Sequence, residues 1–310
     1  MTSQGVEVWS GGVNTWECDE MGHLNVRFWV AKALEALAGL AANLGMPHAF
    51  AAHGQATLAI RELHMRFLRE AQAGTWLYAM GGVSEIDESG ARLLIVLHHA
   101  SGEPAATFQV KVDHATVADL RPFPWPERIL ERAEGLRVEV PPYAAARSVD
   151  LAPVAATASL ARADELKLMR IGLGVVGPSE CDVFGRMSAE RFIGRVSDGI
   201  ARLFGEDRPG PDPVPGEPPP RMGGAVLEYR AVYLDWPRAG DGVELRSGIA
   251  ESTPRIRRAV HWMVDPLIGR PWVTSEAIAI SFDLDKRKIV DVGAEGQAAY
   301  LARVTPGLAL

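Results

Sequence analysis

The chain has 310 residues, which at a usual ~150 residues per domain predicts two domains, each large enough for its own core. Lys and Arg number 32 against 39 Asp and Glu, and the resulting net charge of −7, with no basic run, excludes nucleic-acid phosphate as the main partner. Lys32, Glu35, Asn43 and His48 interrupt the most apolar stretch, 30–52, so no membrane insertion is expected, and two cysteines without a leading signal pattern point to a reducing, cytoplasmic setting.

The pattern expected along the chain is a strand, a helix and then several strands, occurring twice, and the first long element is a helix predicted at 25–44. Its helix formers, among them Ala31, Lys32, Ala33 and Leu34, run up to Gly45-Met46-Pro47, where a helix must stop. Apolar residues cover most of its circumference, so this helix should be wrapped by protein. The period then changes to about two, and strands are expected at 57–69, 74–86, 91–100 and 105–120, joined by tight turns such as Asp87 to Gly90. A short helix is expected at 126–134, followed by an Ala-, Pro- and Val-rich connector. A second helix at 189–204 places Phe192, Val196, Ile200 and Leu203 on one side and Arg191, Arg195, Asp198 and Arg202 on the other. After it comes a proline-rich insertion at 207–220, then strands at 225–235, 242–252, 256–264 and 272–284.

These two series are copies. Cys18 and Cys181, 163 positions apart, each stand in a Glu-Cys-Asp-x-x-Gly block. Leu63 and Arg66 match Leu227 and Arg230 at an offset of 164, and Gly102 to Thr107 matches Gly269 to Thr274 at 167. A slowly growing offset is what small loop insertions produce. The expected fold class is therefore α+β, in two tandem domains, each an antiparallel sheet around one long helix. The domain limits read as 1–135, a linker at 136–165, and 166–310.

The block with chemistry is Asp19-Glu-Met-Gly22-His23-Leu-Asn25, directly before the first helix. Asp19 supplies a carboxylate, and backbone N–H groups between His23 and Val26 can face a developing oxyanion with the help of the helix dipole. Gly22 allows a sharp turn and a close approach. Each also has a structural reading: Asp19 as a turn holder, Asn25 as an N-cap, His23 as a loop support.

The block resembles the signature Asp-x-x-Gly-His-x-Asn of hot-dog-fold thioesterases of the 4-hydroxybenzoyl-CoA thioesterase type. The duplicated layout is similar to the double hot-dog form of plant-type acyl-ACP thioesterases. That resemblance implies an acyl-CoA or acyl-ACP thioesterase with no metal and no organic cofactor. Asp19 would be base or nucleophile, His23 and Asn25 further catalytic residues, and Gly22 and Val26 substrate contacts. Met21 departs from the acyl-ACP pattern Asp-x-Asn-x-His. The resemblance also implies that the two domains pair within one chain, and it leaves further homo-oligomerisation open. In the second copy Asp182 and Gly185 persist, but Arg186 and Ser188 replace the His and Asn, which reads as a degenerate site. The alternative is a second site where Arg186 binds a phosphate or carboxylate.

Other constellations are weaker. Cys18 and Cys181 read as structural. The histidines have no metal-ligand spacing, and no Gly-x-Ser-x-Gly elbow or phosphate loop occurs. Arg61, Arg66 and Arg69 share one strand, where they either meet coenzyme A phosphates or face solvent. Two further functions stay open, a non-catalytic acyl-thioester binding module and a hot-dog hydratase acting on an enoyl thioester.

Overall fold

The computed structural model describes residues 5–205, 209–213 and 220–310. It divides into two compact units, one running to Ala146 and including Ser179–Arg191, the other formed by Arg147–Pro178 and Phe192–Leu310. The second copy's motif, placed by its sequence in the C-terminal domain, thus groups with the first unit. The expected linker is divided between Ala146 and Arg147.

The first unit contains β1 (Val6–Gly12), α1 (Val26–Asn43), β2 (Ala56–Phe67), β3 (Trp76–Ile86), β4 (Gly90–His99), β5 (Pro104–Thr116) and α2 (Glu127–Gly135). Its strands are antiparallel in the order β1-β3-β4-β5-β2. The helix packs on β1, β3 and β4. It is covered because Val30, Ala36, Leu37 and Leu40 on several of its faces are fully buried, as the nearly continuous apolar circumference requires.

The remaining elements are α3 (Leu160–Glu165), β6 (Met169–Val175), α4 (Ala189–Phe204), β7 (Met222–Tyr233), β8 (Gly242–Ser252), β9 (Ile256–Val264), β10 (Pro271–Asp283), β11 (Lys288–Val290) and α5 (Ala294–Leu301). Here the order is β7-β10-β9-β8-β6, the same series met in the first unit, with β11 added beside β10. The duplication extends to detail. A Cβ at Gly39 of α1 would lie 2.1 Å from the Val8 carbonyl oxygen, and one at Gly199 of α4 would lie 2.3 Å from that of Ile171. In each copy, glycine lets the first strand's backbone touch the helix.

The predicted elements occur with small shifts at their ends. The strand expected at 105–120 stops at Thr116, because the chain turns there: the Thr116 N–H donates to the Arg121 carbonyl at 3.1 Å, and Leu120 has a φ of 55°. Three short elements, α3, β11 and α5, have no counterpart in the sequence reading. Residues 207–208 and 214–219 of the proline-rich insertion lie outside the described residues.

Packing differs between the units at matching register. In the first, Ile95 pairs with Phe108, and both are fully buried. In the second, His261 pairs with Ser275 at the same place. The Tyr229 hydroxyl is 2.9 Å from that of Ser275, and the Ser247 hydroxyl is 2.8 Å from His261 Nδ1, so these buried polar groups satisfy one another. Burial without a charged partner depresses the His261 pKa to about 4 and pushes the Tyr229 phenol above its usual value.

Candidate active site at the start of the first helix

Residues 18–25 form a closed loop whose ends meet in a bridge between Cys18 and Leu24. Asp19 is its organiser. Its Oδ1 accepts from the backbone N–H groups of Met21 at 2.9 Å and His23 at 3.1 Å, while its own N–H donates to the His23 carbonyl at 2.8 Å. Such an Asx turn requires a reversal, which Gly22 provides with a φ of 78°. The space where its Cβ would stand is empty within 4 Å, so Gly22 is required for backbone conformation and not for clearance.

Asn25 is the N-cap of α1. Its Oδ1 accepts from the Arg27 N–H at 2.9 Å, and its carbonyl accepts from Phe28 and Trp29. The four candidate N–H donors can then be assigned one by one. His23 donates to Asp19, Leu24 to the Ala71 carbonyl at 2.7 Å, and Asn25 to the Glu17 carbonyl at 2.9 Å. Val26 is left, with no acceptor for its N–H among the described residues, at the positive end of an 18-residue helix. Asp19 Oδ2 likewise accepts nothing there. His23 is buried, with Nε2 3.5 Å from Glu70 Oε2, a contact that becomes an ion pair when the ring is protonated.

Beneath the loop lies a pair that the sequence reading missed. Lys32, on α1, places its Nζ 2.9 Å from both oxygens of Glu17 and 3.1 Å from the Gly12 carbonyl. Both side chains are buried, and Glu17 Oε2 also accepts from the Asn14 N–H at 2.7 Å. A signal for this pair was present: Glu180 and Arg195 occupy the same positions 163 residues later.

The second loop repeats the first. Asp182 Oδ1 accepts from Phe184 at 2.8 Å and Arg186 at 3.0 Å, Gly185 has a φ of 75°, and Cys181 bridges to Met187. The Arg186 side chain is buried and donates to the Val117 carbonyl, with the Ala118 carbonyl at 3.5 Å. Its guanidinium is therefore engaged by backbone. Ser188 donates its hydroxyl to the Glu180 carbonyl at 3.1 Å.

Among the other candidates, Cys18 is half-buried, and its thiol lies 3.5 Å from the Asn14 carbonyl. Of the three arginines expected on one strand, Arg61 and Arg66 lie on β2 and Arg69 lies beyond its end, and all three have protein partners. Arg61 bonds Asp113 at 2.6 Å, Arg69 pairs with Glu103 at 2.8 Å, and Arg66 donates to the Ala145 carbonyl at 3.2 Å, holding the segment after α2. Arg230, its match in the second copy, similarly donates to the Ala152 carbonyl at 2.8 Å. Among the described residues, no group of three or more His, Cys, Asp or Glu is arranged to hold a metal ion, and no helix is long and apolar enough to cross a membrane.

Residues 13–133 match the family model of the thioesterase-like superfamily, a span that contains the whole first loop and α1. No curated protein matches the chain. Among solved structures, the chain is similar to an acyl-ACP thioesterase from Bacteroides thetaiotaomicron, with a TM-score of 0.63 and 11% identity over 87% of this chain and 96% of that one. It is likewise similar to the 12:0-ACP thioesterase of Umbellularia californica, with a TM-score of 0.62 and 10% identity over 87% and 92%. At such identities the likeness establishes the fold, a hot-dog thioesterase fold built on antiparallel sheet.

Proposed function

We propose that the protein hydrolyses an acyl thioester, carried on coenzyme A or acyl carrier protein, at the loop 19–25. On this reading the chain is a tandem of two hot-dog domains, with 1–135 and 166–310 as the copies, and only the first loop is equipped for chemistry. The observation that carries it is the division of labour within Asp19. One carboxylate oxygen is fixed by two backbone N–H groups, while the other is left without a partner in a loop that also leaves the Val26 N–H without an acceptor among the described residues. The match of 13–133 to the thioesterase-like superfamily supports the same reading.

The chemistry follows from those two groups. Asp19 Oδ2 takes a proton from water as the water oxygen bonds to the thioester carbonyl carbon. The carbonyl electron pair moves to oxygen, where the Val26 N–H and the helix dipole stabilise it. Collapse breaks the C–S bond, and the sulfur leaves with the proton, giving a carboxylic acid and a free thiol. In the covalent variant Oδ2 attacks the carbonyl carbon and the C–S bond breaks, expelling the thiolate, which takes a proton from water; water then cleaves the resulting anhydride, releasing the carboxylic acid and restoring the Asp19 carboxylate. His23 and Asn25 hold the loop in register with the helix, and Gly22 holds its turn.

Thiol release over short, long, branched and aromatic acyl-CoAs tests the reading. Asp19→Asn keeps an oxygen for the Met21 and His23 N–H groups and removes the basic carboxylate, so it separates chemistry from loop structure. Release should stop in this variant while the melting temperature holds. Acyl-CoA binding without release from any thioester would favour the binding-module reading, which the repeated Asx turn at Asp182 also favours. Water addition to an enoyl thioester without thiol release would indicate a hydratase.

A further inference from the structure

Past the C-terminal end of α1, a helix of 18 residues and so about 27 Å long at 1.5 Å per residue, the first unit has a cleft of about 480 Å³. Its apolar wall includes Met46, Phe123 and Ile129, and its polar groups are His48, Gln55, His114, Arg128 and Arg132. The volume falls within the range of small-molecule sites, and the mixture of apolar wall and few polar groups is typical of them.

Val83 pairs with Arg137 just after α2, and Ile249 pairs with Val304 just after α5, so α5 stands where α2 does and Tyr300 corresponds to Ala133. Ala133 is fully buried, and the residues that α2 gives to the cleft are Arg128, Ile129 and Arg132.

The charges indicate what enters. Arg128 and Arg132 stand four apart on α2, both exposed, and neither has a carboxylate within ion-pair distance among the described residues. Like charges at this spacing are mutually unfavourable in a helix. In α5 the same positions are Glu295 and Ala299. His114 is buried, and its Nδ1–H donates to the Phe123 and Pro124 carbonyls at 3.1 and 3.2 Å, which fixes the tautomer and leaves Nε2 as an acceptor. The positive charge of the cleft therefore comes from the two arginines at its rim.

We propose that this cleft binds an amphipathic carboxylate, with its alkyl or aryl body against Met46, Phe123 and Ile129 and its anionic head at Arg128 and Arg132. This site is separate from the Asp19 loop and does not depend on thioester hydrolysis. Calorimetric titration of the full chain with octanoate and with phenylacetate should give saturable one-to-one binding of at least one of them. The neutral isosteres octanol and phenylacetamide should bind at least tenfold more weakly. The double variant R128A/R132A, altered only at exposed helix positions, should lose at least tenfold in affinity, whereas D19N should bind as the parent does. Absence of saturable binding, equal affinity for the neutral isosteres, equal binding of inorganic phosphate, or loss of binding in D19N in place of the arginine variant would each overturn the proposal.

Discussion

The loops at Asp19 and Asp182 make nearly the same hydrogen bonds, yet they differ in the side chains that follow the shared aspartate and glycine. Both aspartates accept two backbone N–H groups through Oδ1, both glycines take positive φ, and both loops close with a Cys bridge. The shared residues are thus accounted for by loop geometry alone. What separates the loops is His23 beside Glu70 and Asn25 as a cap, against Arg186 turned to the Val117 carbonyl and Ser188 turned to Glu180. A retained aspartate is therefore weak evidence of retained chemistry. The functional difference must be sought in Asp19 Oδ2 and in the residues around it.

The largest effect should come from the support beneath the first loop. Lys32→Ala strands the buried Glu17 carboxylate and should cost about 3–5 kcal/mol, read by urea unfolding, while Glu17→Gln with Lys32→Met should recover most of it. A cost below ~1 kcal/mol would mean that the pair does not hold the loop.

Acid should separate the units next. His261 stays neutral in the folded state down to about pH 4, whereas an unfolded histidine takes up its proton near 6.5. The stabilisation is fully present above pH 6.5 and is lost as pH falls toward 4, by about 3 kcal/mol. Replacing His261 with Gln should flatten the slope of unfolding free energy against pH in that window, and an unchanged slope would remove His261 from the account.

The paired substitutions Asp19→Asn and Asp182→Asn compare the loops directly. We expect thiol release to drop by at least ~100-fold, about 2.7 kcal/mol, in the first and to stay within ~2-fold in the second. Equal losses would mean that both loops work, or that neither does. The smallest effect is the cap: Asn25→Ala should lower stability by about 1 kcal/mol. Ser188→Ala should cost less, because that hydroxyl donates to a carbonyl and caps no N–H.

The strands and both long helices were legible because burial imposes a period on the sequence. Phe192, Val196 and Leu203, for instance, are buried at helical spacing on α4. The motif loop was legible from its repeat. The short α5 was not, since within Ala294–Leu301 only Tyr300 is buried and no apolar period can form. Nor was the Glu17–Lys32 pair, because Lys32 reads locally as one more helix former. The arginines at 66 and 230 were visible as a repeat, but their role depends on carbonyls 79 and 78 residues away, a distance that no local pattern encodes. Nor was the cleft legible, because its wall joins residues as far apart as Met46, His114 and Ile129.

The contact of Gly39 with the first strand also sets an order of assembly. Gly12 pairs with Trp76, so the strand leaves the ribosome 64 residues before the partner that anchors it. At ~5–20 residues per second that is a wait of roughly 3–13 s. During it, α1 emerges with an apolar surface on nearly every side and only a loosely held N-terminal segment to lie against. The wait recurs for Val175 and Gly242, 67 residues apart. Nascent chains of this protein are therefore exposed twice to chaperone capture, each time at a helix already made and a sheet not yet finished.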